Sequence, residues 1–309
     1  MVERVFITGV GSISPVGLSI NETWSNLTKG MSGVDTISSF DPEGYETTFA
    51  AEASGFEPEA YIDKKQARRM DRFVQLAAAA SLEAFEDSGL SIDESNADRV
   101  SVMVASGIGG IITLSDQIGV LNNRGPNRVS PFLVPMMLPD MASGQVSMLL
   151  GAKGANYCTV SACASGADSI GMAFEAIRRG DVDAAVTGGA EAAICPVGVA
   201  GFNACQALSK RNDDPKTASR PFDADRDGFV LGEGAGVLVL ESQTSMEARG
   251  AEPIAEMIGY GATADAYHIT QPGPEGEGGA RAMNMALRKA NIAPEEVDYI
   301  NAHGTSTPL

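Results

Sequence analysis

The alternation of apolar and polar positions divides the chain into short strands and amphipathic helices. Residues 4–10 set Val5, Ile7 and Val10 among Phe6 and Thr8, which predicts a buried first strand. Ser19 and Glu22 form a capping box for a helix carrying Trp24 and Leu27, with Gly30 placed to end it. With Asp63 as its cap, one long helix is predicted over residues 64–88. Its stripe is Ala67, Met70, Phe73, Val74, Ala77, Ser81, Ala84 and Phe85, and Gly89 stops it. Residues 99–105 read as another buried strand. Residues 130–139 are apolar but broken by Pro131, Pro135 and Pro139, which predicts a structured loop. The glycines Gly232, Gly234 and Gly236 feed the apolar run 237–240, a central strand.

The most informative stretch is 156–177. Residues 157–160 read as the end of a strand, and Ala167, Ile170, Phe174 and Ile177 recur at helical spacing, so the chain turns sharply over 161–166. Residues 184–189 read as the next strand, a strand, helix, strand order that favours a parallel sheet. Cys163 sits in the turn among Ala162, Ala164, Ser165 and Gly166, small residues that permit the tight backbone of a nucleophile elbow. An arbitrary cysteine is more often a small buried hydrophobe; the turn followed by a helix favours a reactive thiol here. A helix N-terminus stabilises a nearby anion by about 0.3–2 kcal/mol. That alone leaves the activation incomplete, and a second polarising group, a histidine, is expected. The chain has His268 and His303. His268 lies in a loop and is read as structural. His303 is predicted to follow a short strand at 297–300 directly, in a polar turn with Gly304, Thr305 and Thr307 that suits an active site.

A helix over 279–291, an acidic turn at 294–296, the strand at 297–300 and a glycine turn repeat the order seen over 74–107, which points to two similar halves. Other motifs fail on spacing. Gly9-Val-Gly-Ser-Ile-Ser imitates a dinucleotide fingerprint, but Ser14 takes the third glycine position, and the glycines after Ser106 are wrong for a phosphate loop. The Asp223, Asp225, Asp227 series imitates a calcium loop whose twelfth position should be Glu and is Gly234.

The 309 residues are 44% apolar, enough for a large core of one or two domains. No apolar run of 18 residues or more occurs, and no signal-peptide pattern opens the chain, so a cytoplasmic location is expected. Cys158, Cys163, Cys195 and Cys205 form no Cys-x-x-Cys pair, which argues against zinc. A formal net charge of −18 argues against nucleic acid or an anionic membrane as partner. Against that background Lys64, Lys65, Arg68, Arg69 and Arg72 crowd around the single acid Asp71. This is either an ordinary solvated face or a docking patch for an acidic protein, joined by Arg124 and Arg128.

Three ordered motifs carry a resemblance. Residues 159–166 (Thr-Val-Ser-Ala-Cys-Ala-Ser-Gly), Ser219-Arg-Pro-Phe-Asp with residues 225–236, and residues 301–307 (Asn-Ala-His-Gly-Thr-Ser-Thr) closely resemble the β-ketoacyl-[acyl-carrier-protein] synthases, nearest the type II elongation enzymes of bacterial fatty-acid synthesis. The resemblance spans essentially the whole chain. It implies an α/β fold of the thiolase-like kind, two duplicated halves stacked α/β/α/β/α, working as a homodimer. Residues 1–250 would form the half with the nucleophile and residues 251–309 the start of the second half. It also implies that Cys163 takes an acyl group from acyl carrier protein and that His303 donates to the malonyl thioester oxygen in decarboxylative condensation, with the Cys163 N–H as an oxyanion donor. No cofactor is implied beyond the carrier's phosphopantetheine. Lys65, Arg68, Arg69, Arg124 and Arg128 resemble the carrier-docking face. Ile108 and Phe202 match the acyl tunnel, Thr270 a mobile loop at its mouth, Thr305 and Thr307 the substrate site, and Asn301 a monovalent-cation site. The family continues with a lysine, a second catalytic histidine and a glycine-rich loop carrying a gating phenylalanine and the other oxyanion donor, whereas the chain stops at Leu309. It is therefore read as truncated, with an incomplete second half, and is expected to acylate weakly or not at all and not to condense alone. A polyketide ketosynthase shares every motif quoted. A non-catalytic synthase subunit usually replaces the nucleophile, and a thiol hydrolase has no use for a carrier-docking face.

Overall fold

The structure, a computed structural model, describes residues 2–308. In chain order the elements are β1 (Val5–Ile13), α1 (Ile20–Thr28), β2 (Asp35–Thr36), β3 (Phe49–Ala50), α2 (Lys64–Ala67), α3 (Arg72–Ser88), β4 (Val100–Ala105) and α4 (Ile111–Arg124). There follow α5 (Leu133–Met137), α6 (Met141–Leu150), α7 (Ser165–Arg178), β5 (Ala184–Glu191), α8 (Pro196–Ala204), β6 (Gly234–Ser242), α9 (Gln243–Ala248), β7 (Ala255–Met257) and α10 (Glu277–Ala290).

A five-stranded sheet in the order β4-β5-β6-β1-β7 organises the molecule. Only β4 and β5 run parallel; β6 pairs antiparallel with both β5 and β1, so the sheet is mixed. Strand alternation sorts the apolar side chains. Val102, Val104, Val186 and Val239 enter the core beneath α3 and α6, while Met103, Ala185 and Leu240 enter the one beneath α7. Helix α3 lies close because β1 lacks side chains where they meet. A Cβ on Gly9 would overlap the Ala84 carbonyl oxygen, and one on Gly11 the Ala80 carbonyl oxygen. The glycine pattern that imitates a dinucleotide loop thus serves close helix–strand packing.

The same device recurs later in the chain. A Cβ on Gly259 or Gly261 would overlap the carbonyl oxygens of Ala286 and Ala282 on α10. Tyr260, between them, packs with the α7 core. The layers therefore run α3, sheet, α7, the 258–261 segment and α10, the α/β/α/β/α plan with its fourth layer reduced to one segment. Beside α10, Ile258, Met283, Leu287 and Ile300 border an open apolar cleft of about 480 Å³.

Four expectations are corrected. The helix expected over 64–88 is two helices, because Asp71 turns inward: only 2% exposed, it caps α3 at Phe73 N–H and accepts from Thr113 N–H at 2.8 Å. Arg72 follows it inward onto Glu233 at 2.6 Å and leaves the basic surface. Residues 130–139 contain α5, whose Pro135 falls in the first turn, where its missing N–H costs nothing. Residues 157–160 form no strand; only Asn156 bridges to Val102. Residues 297–300 are exposed and unpaired, since no described strand lies beside them, so His303 does not follow a strand.

Candidate active site

The first half converges on the elbow at Cys163. Strand β5 carries Gly188 and Gly189 near its C-terminal end, and α7 begins with Ser165 and Gly166. A Cβ on Gly189 would sit 3.1 Å from the Gly166 Cα, so the start of α7 rests directly on the strand end. The elbow places Ala162 in the left-handed region at φ 52°, a strain on the order of 1–3 kcal/mol that surrounding bonds must hold. Ser165 supplies two of them: its Oγ accepts from Ser161 N–H at 2.9 Å and donates to the Ala162 carbonyl at 2.7 Å. Thr159 Oγ1 donates to the Ser165 carbonyl at 2.9 Å. Cys163, between Ala162 and Ala164 in a single 3₁₀ turn, is left exposed at the head of α7.

Cys163 faces a cavity of about 470 Å³, walled also by Ile108, Phe202, Leu231 and Ala193 and by the glycines Gly234 and Gly236 of β6. Phe202 is braced edge-on by Phe229, with ring centres 5.3 Å apart. Ile108 is presented by a turn that Glu191 holds from below. Its Oε1 accepts from Ser106 Oγ at 2.9 Å, and its Oε2 from the N–H groups of Gly107 and Ile108 at 2.9 and 3.1 Å. Sequence reasoning missed Glu191; the available signal was an acid closing the small-residue strand Ala184–Glu191.

Burial raises the Glu191 pKa above its ordinary 4.5, and these donors offset only part of the rise. Between the ordinary and the raised value the folded chain therefore holds a proton that the unfolded chain has released. Stability from this group is fullest below about pH 4.5 and declines as pH rises through the folded value. Glu191→Gln is expected to remove that segment of the decline, which urea unfolding of both proteins between about pH 4 and 7.5 would show. Parallel profiles for the two proteins would contradict it.

The remaining sulfurs are placed differently. Cys158 accepts from Ser106 N–H at 3.4 Å, and burial pushes its thiol pKa up. Cys195 is buried with its pKa likewise raised, and Cys205 is exposed at the end of α8.

The second group of expected site residues does not line the cavity. Asn301, His303, Thr305 and Thr307 lie on a tail seated against the loop at 218–228. There Ser306 Oγ accepts from Arg220 N–H at 3.0 Å, and Arg226 donates to the carbonyls of Thr307 and Pro308. Thr305 and Thr307 share a hydroxyl bond at 2.8 Å, while Asn301 and His303 are exposed. Thr270 is exposed, and its N–H and that of Gln271 donate to His268 Nδ1 at 3.2 and 3.1 Å, so His268 shapes its own loop.

Lys65, Arg68 and Arg69 meet with Phe132 in a shallow depression, where the Arg69 guanidinium stacks 4.6 Å from the ring centre. Arg124 ends α4 and Arg128 lies in the turn Pro126–Arg128. Lys64 is tied to Glu59 and Arg72 to Glu233, whereas these five cations form no ion pair among the described residues.

Comparison with known proteins places the chain in a family. Residues 2–245 match the family described as Beta-ketoacyl synthase, N-terminal domain, and residues 254–309 match Beta-ketoacyl synthase, C-terminal domain. The chain is 56% identical over 307 residues to a 3-oxoacyl-[acyl-carrier-protein] synthase 2 of Staphylococcus aureus, covering 99% of the chain and 74% of that protein. It is 50% identical over 306 residues to the synthase of the same name from Synechocystis sp., again covering 99% and 74%. Among solved structures, a β-ketoacyl synthase from Burkholderia phymatum superposes with a TM-score of 0.90 at 38% identity, covering 99% of this chain and 74% of that one. A type II PKS acyl-carrier protein in complex with its ketosynthase bound to the hexaketide matches with a TM-score of 0.89 at 31% identity, covering 100% and 75%. With both family domains matched in order and a fold shared along its length, the chain belongs to the β-ketoacyl synthase family.

Proposed function

We propose that this chain carries the acyl-accepting half-site of an elongating β-ketoacyl-[acyl-carrier-protein] synthase. The observation that carries the reading is the exposed Cys163 at the head of α7, opening on an apolar cavity walled by Ile108 and Phe202. Cys163 Sγ attacks the thioester carbonyl of the acyl carrier; the carrier's C–S bond breaks, its thiol leaves with the proton, and the acyl chain lies in the cavity. Exchange of one thioester for another is close to thermoneutral. Malonyl carrier then loses carbon dioxide, and the enolate carbon attacks the acyl-Cys163 carbonyl, releasing Sγ and a 3-oxoacyl product. The Cys163 N–H serves as an oxyanion donor, worth about 2.7–4 kcal/mol in such sites. His303 is assigned to the malonyl thioester oxygen on the strength of its motif and family; its tail is held by Arg220 and Arg226. No cofactor beyond the carrier's phosphopantetheine is required by this chemistry. Thr270, Thr305 and Thr307 are assigned to the substrate path and Asn301 to a monovalent-cation site by the same resemblance.

The unpaired cations Lys65, Arg68, Arg69, Arg124 and Arg128 are assigned to an acidic acyl carrier protein. A homodimer is supported by the exposed apolar side chains Leu114, Ile118 and Leu121 of α4 with Val134 and Leu138 beside them. Among the described residues no helix is long and apolar enough to cross a membrane; a cytoplasmic site is proposed from the family's chemistry alone. The division at residues 250 and 251 is retained as the boundary between halves.

The test is made with the polypeptide from the whole reading frame. Incubated with acyl carrier protein bearing a long acyl chain, it is expected to gain one acyl mass on Cys163; a protein that stays unmodified would refute the reading. Arg68→Glu together with Arg69→Glu is expected to weaken carrier binding about 10-fold at low salt, with the deficit narrowing as salt screens it. Fluorescence anisotropy with labelled carrier reads this, and a change below about twofold would move the docking face elsewhere.

A further inference from the structure

A carboxylate outside the cavity joins the elbow to the second half of the chain. Asp168, in the first turn of α7, accepts the Ser161 hydroxyl through Oδ2 at 2.5 Å and the Tyr260 hydroxyl through Oδ1 at 2.7 Å. Ser161 lies two residues before Cys163, whereas Tyr260 is 92 residues away in sequence from Asp168. The placing of Tyr260 is built from several sides. Gly171, one turn along α7 from Asp168, has no Cβ because the Tyr260 ring occupies that space. Gly259 and Gly261 press the flanking backbone onto α10, and α10 returns Lys289 to Glu175 of α7 at 2.7 Å, with its ammonium 5.7 Å from the Tyr260 ring centre.

We propose that Asp168 is a positioning residue for Cys163: it fixes the Ser161 side of the elbow and is itself oriented by Tyr260, so both halves of the chain set how the sulfur is presented. The proposal rests on Cys163 being the nucleophile, but its geometry is independent of the acyl group. The Ser165 bonds hold the elbow only to its own next turn. The Asp168 bond is the one that ties Ser161 to an anchor reaching the second half. Burial, and then the bond to Asp168, raise the Tyr260 pKa, so its hydroxyl stays protonated and remains a donor through the neutral range.

The experiment reads iodoacetamide alkylation of Cys163 relative to exposed Cys205 in the same sample, resolved by fragment-ion mass spectrometry. Ser161→Ala and Tyr260→Phe are each expected to lower the Cys163 to Cys205 rate ratio by about 3- to 10-fold. Because both act through Asp168, the double variant is expected to fall no further than about twofold below the lower single. Ser161→Thr, which keeps the hydroxyl, is expected to stay within about twofold of the parent. Unchanged ratios in both single variants, or effects that multiply in the double, would overturn the proposal. Labelling of buried Cys195 reports unfolding. Should Tyr260→Phe unfold the chain, the contrast between Ser161→Ala and Ser161→Thr decides the matter, because Ser161 is exposed. Failure of the nucleophile assignment itself shows separately, as a missing acyl adduct on the parent protein.

Discussion

Replacement of Cys163 by alanine is expected to abolish acyl transfer from the carrier protein, a loss of about three orders of magnitude or more. The expectation follows from what surrounds the sulfur. Cys163 is the one described cysteine that is both exposed and on the cavity wall; Cys158 is half-buried against the Ser106 turn, and Cys205, exposed at the end of α8, does not line the cavity. Alanine is already tolerated on either side of it, at Ala162 and Ala164, so the turn should keep its shape and stability should change by no more than about 0.5 kcal/mol. Loss of the adduct without loss of stability isolates the chemistry. Trypsin would leave Cys158 and Cys163 on one peptide, between Lys153 and Arg178, so fragment ions or a Cys158→Ala control must assign the acyl mass. An adduct that survives in Cys163→Ala, on either neighbouring sulfur, would remove Cys163 from the mechanism.

The elbow was legible in the sequence because its determinants are local. Small residues at 162–166 permit the turn, and the apolar spacing of Ile170, Phe174 and Ile177 draws the helix that follows. Strands β4, β5 and β6 were legible for the same reason, as short apolar runs bounded by glycine or polar turns. What escaped depended on partners far along the chain. The break before α3 exists because Asp71 meets the backbone of Thr113, and Arg72 leaves the surface because Glu233 lies beneath it. Nothing near residue 70 announces either contact. Glu191 was passed over because its three donors come from a turn more than 80 residues earlier in the chain. Residues 297–300 had a strand-like composition, but a strand is completed by a neighbour and none is described beside it. The glycine pairs at 9 and 11 and at 259 and 261 went unmatched in sequence. Their equivalence lies in the helix each approaches, and it gives the duplicated plan a physical footing that the faint order of elements could not.

Arg249→Ala is expected to destabilise the fold by about 3–5 kcal/mol, the cost of leaving a buried carboxylate without its cation. Glu241 of β6 has a side chain 0% exposed and receives Arg249 twice, from Nε at 3.0 Å and from Nη2 at 2.5 Å. Thr8 of β1 donates to the same carboxylate at 2.6 Å, and Arg249 also reaches the Ser88 carbonyl at the end of α3 at 2.7 Å. One guanidinium therefore ties two adjacent strands of the central sheet to the end of the helix that covers them. Its removal leaves the Glu241 carboxylate without its counter-charge and the Ser88 carbonyl without this donor at once, and the Thr8 and Ser245 hydroxyls compensate only in part. Against a typical domain stability of about 5–15 kcal/mol, that loss should move the urea midpoint far enough to be unmistakable. Far-UV circular dichroism is the appropriate probe, because the single tryptophan, Trp24, is already 67% exposed in the folded chain. The control is Glu241→Gln with Arg249→Leu, which removes both charges and is expected to recover a substantial part of the loss. Equal destabilisation in the single and double variants would locate the effect in lost packing of the arginine stem instead of the unpaired charge, and a single-variant loss below about 1 kcal/mol would contradict the role assigned to Arg249.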